Sequence, residues 1–268
     1  MTTVTAALLT WALHLLVVAL LCGPGVWLTL RRAAVVPAGA PAPVADGPED
    51  HRDPASPARL LLAVAGAHGA VLVLTALPRV GPFESLDRNW QGQLLALAFA
   101  AGLLLAWPRL TPEGVGLTRP KPGSWTLVAG GALGALVVQY AVGGMGPSAE
   151  PTAEAFVNSA VMPGLWEEFL FRGILFCLVL QALPARRRIA GISATWAMLI
   201  TSLLFALGHG LVVDPVDGLT VQLGYVLSTL VAGIFFVWVR ERTGSLLPAI
   251  VLHNLINLAG LLVVGLQG

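Results

Sequence analysis

Charged side chains are scarce in this sequence. Asp, Glu, Lys and Arg make up 11% of its 268 residues, 56% are hydrophobic, and the formal net charge is +1. So few charges cannot cover a water-soluble globule of this length, and most of the chain must therefore face lipid or other apolar helices. A nearly neutral chain also offers no basic surface to nucleic acid, and we expect no nucleic-acid partner.

Cysteine is almost absent. Cys22 and Cys177 both lie in apolar runs, where a thiol behaves as a small hydrophobic side chain, so we expect neither disulfides nor redox chemistry. A basic segment before the first apolar run is also missing, and that run is long. We therefore interpret it as a retained membrane span and not as a cleaved signal peptide.

Long apolar runs make up most of what is present. Runs of about 20 residues, the length that crosses a bilayer as a helix, recur about eight times. The sequence therefore predicts an all-α fold, a polytopic bundle of transmembrane helices in a lipid bilayer. The predicted spans have approximate cores at 5–29, 59–77, 90–107, 124–143, 164–183, 190–208, 218–239 and 245–265.

The hydrophilic segments predict the topology. The longest, 32–57, is rich in Ala and Pro without apolar periodicity and is predicted to be a flexible loop. Arg and Lys concentrate near this loop and in three others that share its side of an eight-span bundle: 108–123, 186–188 and 240–242. Of the predicted loops on the opposite side, 144–163 and 209–217 carry Asp or Glu without Lys or Arg, whereas the loop with Arg79 and Arg88 does not follow this pattern. The basic side is predicted to be cytoplasmic, with both termini outside.

Charges inside the predicted spans are informative because each costs about 3 kcal/mol at the bilayer centre. The fifth span contains Glu167, Glu168 and Arg172. Glu168 and Arg172 are four residues apart, in the favourable order for an ion pair on one helix face. This pair has either a purely structural role or a supporting role in a site.

Glu167 differs from its neighbour. It points about 100° away from Glu168 around a helix, and no basic residue follows it at three or four positions. An unpaired carboxylate in a low dielectric binds a proton more readily, a property that suits a general base. Glu167 is therefore the candidate base.

Two other spans contain His and Asn residues that can join Glu167. His209 ends the sixth span, which runs antiparallel to the fifth, so Glu167 and His209 are expected to reach the same face of the membrane. In the eighth span, His253 and Asn257 lie one turn apart on a single helix face. We expect these four residues to cluster in the outer half of the bilayer.

The residue types suit amide hydrolysis. A carboxylate and an imidazole can activate water, while an imidazole and a carboxamide can donate hydrogen bonds to an oxyanion. Alternatively, Glu167, His209 and His253 could bind zinc with one open position. Three motifs of other intramembrane peptidases do not occur: His-Glu-x-x-His, Gly-x-Gly-Asp and Gly-x-Ser-Gly.

The ordered motifs Glu167-Glu168-x-x-x-Arg172, Phe205-x-x-x-His209 and His253-x-x-x-Asn257 carry a resemblance. Together they resemble the CPBP family of CAAX proteases and bacteriocin-processing enzymes, also called Abi, over about 150–260. The resemblance implies a catalytic helical core at 149–268, preceded by N-terminal membrane helices at 1–148. It also favours the cell membrane of a prokaryote as the location.

The resemblance also implies roles for the site residues. Glu167 and His209 would activate water, His253 and Asn257 would form the oxyanion site, and Glu168 and Arg172 would support them. No cofactor is implied by the leading interpretation, and zinc is the alternative. Family substrates include prenylated CAAX proteins and maturing peptides, so we expect a membrane-associated or exported peptide or a membrane protein as partner.

Two other functional classes compete with this interpretation. Intramembrane Glu, His and Arg can form an ion or proton pathway in a transporter, although we find no internal repeat of the transporter type. A non-catalytic immunity or scaffold protein could keep the same fold, but the full set of candidate catalytic residues argues against this. His14 and His68 are interpreted as hydrogen-bonded packing residues.

The topology can be tested by cysteine labelling in intact cells. In a variant lacking Cys22 and Cys177, we expect Arg187→Cys to react with an impermeant thiol reagent only after permeabilisation, because its loop is predicted to be cytoplasmic. Asp217→Cys, in an opposite loop, should react without permeabilisation. Labelling of residue 187 from outside would overturn the predicted orientation.

Overall fold

The computed structural model describes residues 1–34, 56–142, 152–184, 186–189 and 192–267. The predicted loop at 32–57 lies mostly outside the described residues, and the predicted boundary at 148 and 149 lies outside them entirely. The helices are α1 (Thr3–Ala34), α2 (Pro57–Thr75), α3 (Trp90–Ala106), α4 (Pro112–Val115), α5 (Ser124–Val142), α6 (Ala153–Glu168), α7 (Phe176–Ala182), α8 (Trp196–Gly210), α9 (Leu223–Thr243) and α10 (Leu247–Gln267). A 3₁₀ turn at Gly81–Phe83 precedes α3, and a π-helical segment, Phe169–Leu175, joins α6 to α7.

The prediction of an all-α transmembrane bundle is confirmed. Five of the described helices, α1, α2, α5, α9 and α10, are long and apolar enough to cross a membrane, and α3 and α8 are shorter apolar helices. The α6–π–α7 segment forms one continuous helix that corresponds to the predicted fifth span. Each of the eight predicted spans therefore overlaps a helix, and the chain is an integral membrane protein.

Three predicted boundaries are wrong. The fifth helix begins at Ala153, so the predicted loop 144–163 is helical over its second part; the Thr152 side chain accepts a hydrogen bond from Ala155 N–H and caps this helix. The sixth and seventh helices begin at Trp196 and Leu223, later than predicted, because Ile192–Thr195 and Gly218–Val221 form strands instead. These strands belong to two antiparallel hairpins: β1 (Arg186–Ile189) with β2 (Ile192–Thr195), and β3 (Leu211–Asp214) with β4 (Gly218–Val221).

Helix α1 runs antiparallel to α8 and anchors its start. Trp196, the first residue of α8, donates its indole N–H to Thr29 Oγ1 at 3.0 Å. A Cβ on Gly25 would lie 2.4 Å from the Trp196 ring, so the glycine allows the indole to lie directly on the α1 backbone. Close packing of these helices therefore depends on the absence of a side chain at this position.

The contact between α1 and α8 extends, at its other end, to the β3–β4 hairpin. Val213 N–H donates to Thr10 Oγ1 at 2.8 Å, and the Leu211 carbonyl accepts from His14 Nε2 at 2.7 Å. Thr10 and His14 lie about 10 and 16 Å along α1 from Thr3, at 1.5 Å per residue. Helix α8 therefore ends within the depth that α1 spans, and the hairpin continues beyond it.

The buried pair His14 and His68 has the packing role that was predicted. Because His14 Nε2 carries the proton donated to a carbonyl, its Nδ1 accepts from His68 Nε2 at 3.1 Å. The two imidazoles thus connect α2, α1 and β3. At the hairpin tip, the N–H groups of Asp217 and Val216 hold the pKa of the Asp214 carboxyl below its usual range.

The two ends of the bundle differ in composition. At one end, the segment before α5 contacts the α9–α10 junction, where Lys121 N–H donates to the Thr243 carbonyl and Leu246 N–H to the Gly116 carbonyl. At the opposite end, the Glu154 carboxylate accepts from Arg88 N–H, Asp87 N–H and the Trp90 indole. The basic loops 108–123 and 240–242 thus lie at the same end of the bundle, in agreement with the predicted topology.

Gly164 provides a test of the packing between α6 and α10. A Cβ at this position would lie 2.5 Å from the Ile250 carbonyl oxygen and 2.6 Å from Asn254 Oδ1. We expect Gly164→Ala to lower the free energy of unfolding by about 2 kcal/mol, because overpacking forces the helices apart. The thermal unfolding midpoint in detergent measures this effect.

The matched control is Gly102→Ala in α3, where no atom lies within 4 Å of the added Cβ. This variant should keep or raise the midpoint, since alanine favours helix over glycine. Equal midpoints for the two variants would contradict the described interface.

Candidate active site

The helix that contains both glutamates changes its geometry at the site. The α-helical hydrogen-bond pattern ends at Glu168, and the next seven residues, Phe169–Leu175, are π-helical. π-Helical segments are rare in proteins, and those that occur often lie at functional sites. All residues of this segment are buried, including Arg172. The predicted span 164–183 places Glu167 near the start of its helix. In the structure the helix begins at Ala153, so Glu167 lies midway along it.

The Glu168 carboxylate connects two helices. Its Oε1 accepts from Arg172 Nη1 at 3.0 Å and from His253 Nδ1 at 2.8 Å. Glu168 and Arg172 are both 0% exposed. The predicted ion pair is therefore present, and it also fixes an imidazole of α10, a contact that the sequence did not indicate.

Aromatic rings enclose the buried guanidinium. Arg172 Cζ lies 4.0 Å from the ring centre of Phe205 and 5.3 Å from that of Phe236. Phe236 also stacks on the His253 ring, with centres 4.8 Å apart and planes 8° apart. A Cβ on Gly233 would lie 3.1 Å from Arg172 Nη2, so this glycine makes room for the cation.

Glu167 lies between two imidazoles. Its Oε2 is 3.7 Å from His209 Nε2 and 3.7 Å from His253 Nε2, too far for direct hydrogen bonds. Within the described residues, this buried oxygen has no hydrogen-bond partner. The side chain of Glu167 is 12% exposed and that of His209 is 27% exposed, so both have access to solvent.

Hydrogen bonds to Nδ1 determine which nitrogen each imidazole directs at Glu167. His209 Nδ1 lies 2.8 Å from the Phe205 carbonyl oxygen, which can only accept. The proton is therefore on Nδ1, and Nε2 of neutral His209 is an acceptor. His253 Nδ1 donates to a carboxylate in the same way. Both rings thus direct Nε2 toward Glu167.

A cavity of about 810 Å³ opens beside this cluster. It lies between α5, α6, α9 and α10, and the segment before α3 borders it at Asp87 and Asn89. Tyr225, Ser228 and Thr229 of α9 add hydroxyl groups to a wall that is otherwise largely apolar. A space of this size holds an extended segment of several residues or a small lipid-like group.

The two asparagines of α10 face different surroundings. Asn257 lines the cavity together with Glu167, His209 and His253. Asn254 instead accepts from Gly164 N–H at 2.8 Å, next to Pro163, whose ring interrupts the hydrogen bonding of α6. Of the two asparagines, Asn257 is therefore the one that faces the cavity.

The structure brings all six predicted site residues into one cluster around the cavity and the ion pair. Sequence reasoning missed Gly233, Phe236 and Tyr225, which shape or line the site. Tyr225 could have been noticed as a hydroxyl near the start of a span, and its ring centre lies 5.8 Å from that of His209. Gly233 and Phe236 carried no signal, because small and aromatic residues are ordinary in membrane helices.

Metal binding can be judged from the donor atoms. Among the described residues, no three His, Cys, Asp or Glu side chains form a preformed metal-binding group. The nearest approach is Glu167 with His209 and His253, at 3.7 Å from Oε2 to each Nε2. Ligand atoms of a tetrahedral zinc ion are about 3.4 Å apart for bonds of about 2.1 Å. The cluster would have to contract slightly to hold such an ion.

Comparison with known proteins identifies the C-terminal segment. Residues 150–259 match the family model for type II CAAX prenyl endopeptidase, Rce1-like. No curated protein and no solved structure matches the chain. The matched segment contains every residue of the cluster, from Glu167 to Asn257. The C-terminal segment of the chain is therefore similar to type II CAAX prenyl endopeptidases, in agreement with the resemblance that its three ordered motifs carry.

Proposed function

We propose that this protein is an intramembrane endopeptidase that hydrolyses a peptide bond with water activated by Glu167 and His209. The observation that carries the proposal is the placement of Glu167 Oε2 between two imidazole Nε2 atoms at 3.7 Å, beside a cavity. The substrate is a membrane-associated or exported peptide, or a membrane protein, that reaches the cavity from the bilayer. The location proposed for the chain is the plasma membrane of a prokaryote.

Glu167 and His209 hold the water that attacks. Glu167 Oε2 is buried, so water reaches the carboxylate through Oε1, while Nε2 of neutral His209 is the second acceptor. A water molecule that donates one proton to each group directs an oxygen lone pair at a carbonyl in the cavity. As the new C–O bond forms, Glu167 takes the proton of the attacking water.

The oxyanion that results is stabilised by α10. Asn257 donates from its carboxamide, and His253 donates from Nε2 when its ring carries both protons. The Glu168 carboxylate accepts from Nδ1 at 2.8 Å and so holds the ring with Nε2 directed toward Glu167. Arg172 and Glu168 act through His253 and are positioning residues.

The proton held by Glu167 completes the reaction. When the tetrahedral intermediate collapses, the C–N bond breaks and Glu167 passes the proton to the leaving amine. The products are a carboxylic acid and an amine, and Glu167 returns to its ionised state.

Zinc is the alternative to this metal-free route. Glu167, His209 and His253 are the residues that would hold the ion, and it would polarise the attacking water. Their Nδ1 partners, the Phe205 carbonyl and Glu168, orient both imidazoles equally well for either route. A chelator distinguishes the two.

We expect Glu167→Gln to lower kcat by a factor of about 10³, since a carboxamide cannot accept the proton of water. Cleavage of a panel of quenched fluorescent peptides by detergent-purified protein measures this, with and without a zinc chelator. We expect wild-type turnover to be unaffected by the chelator; loss of turnover that zinc restores would establish the metal route. Exposed Glu113→Gln is the control variant, and full activity of Glu167→Gln would remove its proposed role.

Substitution of Asn257 should affect catalysis, whereas substitution of Asn254 should affect stability. We expect Asn257→Ala to lower kcat by a factor of about 10² to 10³ with an unchanged unfolding midpoint, because it removes an oxyanion donor. Asn254→Ala should instead lower the free energy of unfolding by about 2 kcal/mol, because it leaves the buried Gly164 N–H unpaired. Peptide cleavage and thermal unfolding of both variants provide the measurements. A reversed pattern would contradict the proposed oxyanion site.

A further inference from the structure

The two edges of the β3–β4 hairpin have different surroundings. The outer edge of β3 is bonded to α1: Val213 N–H donates to Thr10 Oγ1, and the Leu211 carbonyl accepts from His14 Nε2. A helix thus supplies, through two side chains, the hydrogen bonds that a third strand would supply. Within the part of the chain that the structure describes, no element bonds to the outer edge of β4 in this way.

The register identifies the backbone groups on the open edge. Gln222 N–H donates to the Gly210 carbonyl, so these two residues form a hydrogen-bonded pair at the hairpin base. Bonded and non-bonded pairs alternate in an antiparallel ladder, so Val221 and Leu219 direct their N–H and C=O groups away from β3. No hydrogen bond to these four groups occurs among the residues that the structure describes.

Open backbone groups are unfavourable at this depth. The base of the hairpin lies level with His14 of α1, inside the span of that helix. An unpaired N–H or C=O in hydrocarbon costs several kcal/mol, so such groups need a partner. Strand β4 contains neither Pro nor a charge that would discourage pairing, and the side chains of Leu219 and Val221 are each 59% exposed.

The open edge adjoins two helices that line the candidate active site. Val221 stands opposite Leu211, which follows His209 by two residues at the point where α8 ends and β3 begins. Beyond Gln222 the chain continues into α9, where Tyr225 lines the cavity and its ring approaches that of His209. An extended chain lying along β4 would therefore enter the cavity beside the proposed catalytic water.

We propose that the outer edge of β4 binds the substrate as an added antiparallel or parallel strand, so that a locally extended polypeptide is the substrate class. This inference rests on the proposed peptidase function. The backbone N–H and C=O groups of Leu219 and Val221 form hydrogen bonds with every second residue of the substrate. In this recognition mode, affinity depends little on side chains. A substrate that enters the membrane as a helix must unwind over this stretch before it is cleaved.

The test uses a defined probe and the inactive Glu167→Gln protein in detergent, so that binding is read without turnover. The probe is a fluorescein-labelled peptide of eight alternating Ala and Val residues with two Lys at each end. Fluorescence anisotropy gives its Kd, and micelles without protein correct for detergent binding. The eight central amides are then N-methylated one at a time.

We expect methylation to weaken binding at least tenfold at alternate positions in one stretch and less than twofold at the positions between them. Methyl groups that face the β4 edge remove a hydrogen bond, whereas those that face away leave the pairing intact. Uniform effects, or no saturable binding of the probe, would overturn the proposal. The scan leaves the protein unchanged, so misfolding of a variant cannot produce its pattern.

A pair of variants tests the same edge from the protein side. Leu219→Pro removes an outward N–H and no ladder hydrogen bond, whereas Leu219→Ala shortens the side chain and keeps the N–H. We expect the Pro variant to raise Kd at least tenfold over the Ala variant, at matched unfolding midpoints. Equal Kd values for the two variants would overturn the proposal. It would also be overturned if the wild type formed a dimer that only the Pro variant loses, because the β4 edge would then pair with a second copy of the chain.

Failure of this inference and failure of the proposed function are distinguishable. Alternating N-methyl effects on binding, with no cleavage of the unmethylated probe or any panel peptide by the wild type, would support strand addition and contradict the peptidase function. Cleavage without alternation in binding would support the peptidase function and overturn strand addition.

Discussion

One carboxylate oxygen, Glu168 Oε1, holds the site together, because it accepts hydrogen bonds from both Arg172 and His253. A buried charge is tolerated only when it is paired, and this oxygen pairs the guanidinium while it also orients an imidazole. The need to enclose the guanidinium accounts for the neighbouring features: a glycine at position 233 and the rings of Phe205 and Phe236. Glu167 is thereby left to face the cavity without a cation of its own on the same helix.

The absence of water from the membrane interior also constrains the backbone, whose N–H and C=O groups need hydrogen-bond partners within the protein. Pro163 interrupts the hydrogen bonding of α6, and the next N–H, that of Gly164, is satisfied by Asn254 from another helix. The outer edge of β3 is satisfied by Thr10 and His14. At these two places a neighbouring side chain supplies the missing hydrogen bond, as a membrane interior requires.

The sequence predicted those features that follow from local chemistry. Apolar run length gave the helices, and the rarity of charge in such runs identified Glu167, Glu168 and Arg172. The four-residue spacing predicted the ion pair that is present. The bond from His253 to Glu168 could not be predicted, because 85 residues separate the partners and only tertiary packing brings them together. Apolar run length also could not reveal the β3–β4 hairpin, since Gly218–Val221 is almost as apolar as the helix that follows it and was included in the predicted seventh span.

The hydrogen bonds from α1 to β3 have a consequence for how the protein can be divided. The segment recognised by family comparison, 150–259, includes the hairpin but not Thr10, His14 or His68. A fragment limited to that segment would expose the Leu211 carbonyl and the Val213 N–H to lipid, next to the strand that leads from His209. The N-terminal helices therefore complete the backbone hydrogen bonding of the C-terminal segment, and grafting that segment onto other membrane anchors would require a donor and an acceptor at the same depth.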